Sequence, residues 1–303
     1  MNLPLEFKSK VHEAILTALG NYTGSEKSFA KSIGINNASV FSRLKNGELE
    51  KVITDADWLS IARILNVSTR IDNWKVARTK VYEELERNLN FCQEYSKSMI
   101  LIDECGIGKT YCTRHIMGQM KNAFYIDCSQ GKTRQQFIRL IARTVGIEST
   151  GRYADVKANL KYYLNNVLVF PSPLIALDDA GYLDYPAFLE LQELWNGTED
   201  SCGWYMIGDS SLQHKIERGI NRKRIGYKAI FSCFLDEYIT ISPLGKEDKK
   251  TFYKELIGAV ASVNIEDQTE VPNLIKKCIK KETTLRYLTV LIQLLKKLSK
   301  NRN

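Results

Sequence analysis

Histidine is nearly missing from this chain: His12, His115 and His214 are the only three in 303 residues. The seven cysteines, at 92, 105, 112, 128, 202, 233 and 278, include no C-x-x-C pair. Without that spacing there is no framework for a structural zinc site, and an odd number of scattered thiols argues against a disulfide scaffold. No apolar run approaches the roughly 18 residues of a membrane helix, and the opening MNLPLEFKSKVHEAI lacks a signal-peptide core. We therefore expect a cytoplasmic, nucleoid-associated protein with no membrane partner. Acids are also scarce at one end. From 272 to 303 nine Lys and Arg face a single acid, Glu282, and this segment carries the whole formal charge of +8. Such an excess favours a polyanion partner, the alternative being a solvated helix face. What is present, 44% hydrophobic and 26% charged residues, is a globular composition, and the length suits one large α/β domain plus a small module.

The chain is organised around residues 98–113, SMILIDECGIGKTYCT. The apolar run 99–102 has the length of a buried strand, Gly106 and Gly108 make a turn, and Lys109-Thr110 open a helix. Strand, glycine turn and helix meeting at Gly-Lys-Thr is the P-loop context, in which backbone N–H groups and a helix N-terminus surround phosphates. The expected nucleotide contacts are Gly106, Ile107, Gly108, Lys109, Thr110 and Tyr111. Lys109 would meet the β and γ phosphates of ATP, and Thr110 would hold Mg²⁺. Asp103 stands where the pattern has its first glycine. Asp tolerates left-handed backbone, and a carboxylate about 4 Å from a phosphate costs about 4 kcal/mol at an effective dielectric of 20, so its side chain is expected to point away.

A second signal lies at 174–183, LIALDDAGYL. Four apolar residues and then two acids are what a buried parallel strand needs to deliver a carboxylate to a metal at its C-terminal edge. Asp178 is the expected Mg²⁺ ligand and Asp179 the expected base for the attacking water, one methylene shorter than a glutamate. A further strand at 203–208 ends in Asp209, which the family resemblance drawn below implies touches the γ-phosphate or the water. Arg218, Arg222, Lys223 and Arg224 form a basic cluster beyond it, and Arg222 and Arg224 are candidates for fingers acting on a neighbouring subunit. Arg286, in Thr283-x-x-Arg286, reaches the phosphates from a helical lid in what the family resemblance drawn below implies.

Residues 1–70 read as an all-helical module. A helix over 5–19 is followed by SEKSFAKSIGINNASVFSRLKNGEL, with Ser25 as a cap, Gly34 as a turn and Asn37 or Ser39 opening another helix. Helix, glycine turn, helix is the plan in which the second helix enters a major groove. Ala30, Gly34, Ile35, Val40 and Gly47 resemble the pattern of phage repressors, and Asn37, Ser39, Arg43 and Lys45 would then face double-stranded DNA. A protein-docking module is the alternative. A hinge is expected at 69–74 and a helix over 73–95, bordering the adenine. A strand at 124–128, a polar loop at 129–133, and helices at 135–145 and 153–166 follow. Lys132, Arg134, Arg139 and Arg152 lie in this region, and the family resemblance drawn below implies that they are backbone-tracking DNA contacts.

Taken together, the Asp-Glu-Cys-Gly-Ile-Gly-Lys-Thr loop, YIDCSQGKTRQQFIRLIARTVGI, the Asp-Asp-Ala strand end and TLRYLT resemble the AAA+ transposition ATPases, the group of phage Mu transposition protein B and its IstB-like and TniB-like relatives. The resemblance implies an α/β AAA+ core at 71–242 with a parallel sheet and flanking helices, and a helical lid with a basic C-terminus at 243–303. It further implies ATP and Mg²⁺ as cofactors, sequence-tolerant DNA binding, self-association into an ATP-dependent helical filament, and recruitment of a transposase. Asp103, Asp179 and Asp209 depart from the usual Gly, Glu and Asn, and Cys233 stands where an arginine finger is expected. Slow, DNA- or partner-stimulated hydrolysis follows from those departures. Two other functions fit the same residues: a replication helicase loader or initiator ATPase, and a repressor-like regulator that senses ATP without hydrolysing it.

Overall fold

A computed structural model describes residues 3–65, 67, 74–280 and 284–300. The N-terminal region holds α1 (Leu5–Gly20), α2 (Glu26–Ser32), α3 (Ala38–Lys45) and α4 (Asp55–Ile64). Ser25 caps α2 by accepting from Ser28 N, and Asn37 caps α3 by accepting from Ser39 N and Val40 N, so both predicted starts are present. Gly34 between them has φ +86, a conformation in which a Cβ is strained. Val11, Ile15, Phe29, Phe41, Leu44 and Trp58 close these four helices over a cluster of their own.

The core begins with α5 (Lys80–Glu94), β1 (Ser98–Ile102), α6 (Lys109–Met117), β2 (Ala123–Asp127), α7 (Arg134–Val145) and α8 (Tyr153–Asn166). It continues through β3 (Leu174–Asp178), α9 (Tyr185–Asn196), β4 (Gly203–Gly208), α10 (Ser210–Asn221), α11 (Tyr227–Cys233) and β5 (Tyr238–Ile239). The sheet order is β2-β3-β4-β1-β5, and every pairing is parallel. Its central strands are covered on both faces, which is why they read as unbroken apolar runs. Ile100, Ile175, Leu177, Trp204 and Met206 enter the cluster beneath α7 to α11, while Leu101, Ala176, Tyr205 and Ile207 enter the one beneath α5 and α6. The lid is α12 (Lys246–Asn264), α13 (Val271–Lys280) and α14 (Leu285–Lys300), closed over Ile257, Leu274, Leu288 and Ile292. Among the described residues no helix is long and apolar enough to cross a membrane.

Two expectations need correction. The helix expected over 73–95 starts only at Lys80, with Thr79 as its cap. Residues 74–79 are non-helical because the lid holds their backbone: Asn264 Oδ1 accepts from Lys75 N at 2.8 Å and its Nδ2 donates to Lys75 O at 2.9 Å. The expected hinge at 69–74 lies outside the described residues except for Trp74. The second correction concerns Asp103, whose φ is not positive, so left-handed tolerance is not why the residue is there.

The N-terminal helices sit on the β2 edge of the core. Asn122, just before β2, donates its N–H to Asn21 O at 2.9 Å, and its Oδ1 accepts from Thr23 N at 3.1 Å and Thr23 Oγ1 at 2.8 Å. Tyr22 donates its hydroxyl to Val145 O at 2.7 Å, and Lys31 pairs with Glu148 at 3.0 Å.

Candidate functional site

At the C-terminal edge of the sheet lies a cleft of about 270 Å³, between the β1–α6 loop, the ends of β3 and β4, residues 74–79 and the lid. Gly106, Ile107, Gly108, Lys109, Thr110, Tyr111, Asp178, Asp179, Asp209 and Arg286 all line it. The loop takes its shape from Gly106 at φ +82 and Gly108 at φ +103, left-handed conformations that open a concave run of backbone ahead of α6. Ile107 is fully buried against the core, so it anchors the loop by its side chain and can offer a ligand only backbone. Lys109 is buried, and its ammonium donates to Asp103 O at 2.6 Å and Glu104 O at 2.7 Å. Burial pulls its pKa below the ordinary lysine value, against the opposing carboxylates of Asp103, Asp178 and Asp209.

Asp178 is buried at the end of β3, and its Oδ2 accepts from Thr110 Oγ1 at 2.6 Å and from Tyr125 OH at 2.6 Å. A hydroxyl and a carboxylate in contact at the mouth of a phosphate loop form an oxygen donor set suited to Mg²⁺, which prefers a few carboxylate and hydroxyl ligands beside phosphates. Asp179 projects beyond it, exposed, at φ +53. Burial and the neighbouring carboxylates of Asp178, Asp127 and Asp209 raise its pKa. Asp209 caps α10, accepting from Ser211 N at 2.9 Å and Ser211 Oγ at 2.5 Å, and Cys105 Sγ donates to its other oxygen at 3.4 Å. The Ser211 hydroxyl is the main reason the Asp209 carboxyl is held below its usual range.

Asp103 does point away from the cleft. Its carboxylate accepts from Glu104 N at 2.7 Å, Ile241 N at 2.7 Å, Ser242 N at 2.8 Å and Ser242 Oγ at 2.5 Å. Glu104 reaches the lid instead, bonded by Lys249 and Tyr253 of α12. Burial acts to raise the Glu104 pKa, but those hydrogen bonds prevail and lower it. At the lid's other end, Leu285 N donates to Gly106 O at 3.1 Å, and a Cβ on Gly106 would lie 2.5 Å from Thr284. The phosphate loop is thus joined to the lid at both of its ends. Thr283 lies outside the described residues.

Several residues here escape sequence reasoning. Tyr125 is one, stacked by Arg114 at 4.5 Å, with burial the main cause of its raised pKa. Its alternation with buried Phe124 and Ile126 in β2 was the available signal. Trp74 and Asn264 are others; Tyr111 OH donates to Trp74 O at 3.4 Å across the cleft mouth.

The remaining predicted residues lie elsewhere. Arg222 and Arg224 sit beyond the C-terminal end of α10 and do not line the cleft. Arg134 bonds buried Glu190 at 2.5 Å, and Arg139 donates to Ser149 O at 2.5 Å and Gly151 O at 2.9 Å. Lys132 is exposed over the Tyr182 ring at 4.7 Å, and Arg152 is exposed 4.0 Å from Asp155. On α3, Arg43 pairs with Glu48 and Lys45 with Glu26, both at 2.8 Å, while Asn37 and Ser39 stay exposed.

Sheet order, phosphate loop and lid define an AAA+ fold preceded by a helical region. Residues 76–216 match the family of AAA domains. Among solved structures, the chain is similar to the Aeropyrum pernix ORC1 protein in complex with DNA, at 14% identity and a TM-score of 0.56, covering 78% of this chain. It spans 63% of the length of that protein's chain. No curated protein matches the sequence.

Proposed function

We propose that this protein is an AAA+ ATPase that binds ATP with Mg²⁺ and, in that state, binds double-stranded DNA without sequence preference. The observation that carries the ATP part of this reading is the contact of Thr110 with Asp178 beside Lys109 at the mouth of the glycine loop, and the exposed basic residues support the DNA part. Thr110 and Asp178 would hold Mg²⁺, which neutralises charge on the phosphates during transfer to water. Lys109 would exchange the carbonyls of Asp103 and Glu104 for the terminal phosphates, a stronger charge-assisted partner. Asp179 would take the proton of the attacking water, with Asp209 orienting that water, and Arg286 would approach the phosphates from the lid.

The DNA-binding module at 1–70, the core at 71–242 and the lid at 243–303 would then act together on DNA, using Lys132 and Arg152 and the exposed polar face of α3. Within this reading the AAA+ transposition ATPases supply the expected role: assembly along target DNA as a filament, and recruitment of a transposase. Electron microscopy of DNA incubated with protein and ATP tests it. Continuous ATP-dependent coating is expected, and bare DNA would contradict it.

A second reading, a replication initiator, is favoured by the ORC1 structure having been determined with DNA. A discrete footprint at one site in a long duplex, in place of uniform coverage, would select it.

A further inference from the structure

We propose that the turn between α10 and α11, with the helix ends flanking it, is a duplex-DNA backbone-docking surface. This rests on the DNA-binding reading above and adds a further contact surface to it. From 215 to 228 the chain carries six basic residues and one acid. Arg218, Arg222, Lys223, Arg224 and Lys228 are all exposed. None of these five forms an ion pair among the described residues, whereas Arg43, Lys45 and Arg134 are each tied to a carboxylate.

Local helix electrostatics explain only part of this cluster. Cations are favoured at a helix C-terminus, which accounts for Arg218 in the last turn of α10 and Arg222 at its C-cap. Lys223 and Arg224 lie past that turn. Lys228 stands in the first turn of α11, where the helix dipole disfavours a cation.

The turn is preorganised. Lys223 at φ +52 and Gly226 at φ +92 bend it, and a Cβ on Gly226 would lie 2.5 Å from Leu189. Arg224 N donates to Gly219 O at 3.0 Å, and Tyr185 donates its hydroxyl to Ile225 O at 3.0 Å. The Tyr185 ring stacks on Tyr227 at 5.7 Å with an interplanar angle of 10°, and the Arg224 guanidinium lies 5.0 Å from its centroid. Ile225, 80% exposed, forms the tip between the cations.

An array of exposed cations on a preorganised turn, with a single apolar tip, suits a regular polyanion. The Tyr185 ring is already taken up by Tyr227 and Arg224, so it is not a free platform for stacking single-stranded bases, and the evenly spaced phosphates of a duplex backbone are the partner these cations suit. One exposed isoleucine is also too little apolar surface for a membrane to hold.

Anisotropy of a labelled random-sequence duplex, with the full chain, ATP and Mg²⁺, tests the assignment. A triple Arg222→Glu, Lys223→Glu, Arg224→Glu variant should bind about tenfold or more weakly, with a salt slope flatter by about 2 to 3 units. The affinity of a Lys228→Glu variant for a fluorescent ATP analogue should be unchanged. Lys228→Glu places an acid where α11 favours one, so it should fold at least as well as the wild type and still weaken DNA binding. If the wild type binds duplex and both variants bind equally well, the docking surface is wrong and the DNA-binding reading stands. If the wild type does not bind duplex at all, both fall. Unchanged duplex binding with lost DNA-stimulated hydrolysis would return Arg222 and Arg224 to a neighbouring subunit's phosphates. Stronger capture by phosphatidylserine vesicles than by duplex would assign the surface to membranes and overturn the proposal.

Discussion

Asp103 replaces a glycine that a phosphate loop ordinarily uses for its turn, yet it is buried with four hydrogen bonds to its carboxylate. Its role is to join the end of β1 to Ile241 and Ser242, where the chain leaves β5 for the lid. Asp103→Ala would leave buried N–H groups without acceptors, at about 1 to 3 kcal/mol each. We expect a loss of about 3 kcal/mol in denaturant unfolding; a change below about 0.5 kcal/mol would show that water replaces the carboxylate at little cost. Asp179 makes the contrasting case, because it is exposed at the cleft and caps nothing. Asp179→Asn should keep ATP affinity and lower turnover about 100-fold, as removal of a general base does. Turnover at the wild-type rate would place the base elsewhere, and Glu104 is a poor substitute because Lys249 and Tyr253 hold it.

At the scale of elements, one glycine lies where the N-terminal helices meet the core. Gly146 ends α7 at φ +95, and a Cβ there would lie 2.3 Å from Ser28 O in α2. Gly146→Ala combines that clash with left-handed strain of about 1 kcal/mol. It should expose the module to limited proteolysis while ATP affinity holds; an unaltered digestion pattern would mean that α2 is not held by this contact. Strands β1, β3 and β4 were legible because a strand covered on both faces reads as one apolar run. The caps at Ser25 and Asn37 were legible because their partners lie two or three residues away. Helix α9 was missed: it begins Tyr185-Pro186, and a proline that serves well in a first helical turn also reads as a break. Residues 74–79 were misread as helix because the residue that holds them, Asn264, is 189 positions away from Lys75. The joints of Asp103 to Ser242 and Glu104 to Lys249 were invisible for the same reason, with separations of 139 and 145 residues.

For the whole molecule, the positions of charge matter more than its sum. Two of the basic residues expected on DNA also make bonds within the protein: Arg139 closes the α7–α8 loop and exposed Arg134 pairs with Glu190. The glycine loop and the lid are joined directly, since Leu285 N donates to Gly106 O and Glu104 is bonded by Lys249 of α12. A phosphate that draws Lys109 away from the carbonyls of Asp103 and Glu104 would therefore act on the loop that carries the lid. The most direct measurement is the affinity of the full chain for a random-sequence duplex, with and without ATP and Mg²⁺, for the wild type and Lys109→Ala. Tight binding by the wild type only with nucleotide is predicted, with Lys109→Ala losing about 100-fold in ATP affinity and its DNA binding with it. Equal binding without nucleotide, or undiminished ATP-dependent binding by Lys109→Ala, would contradict it.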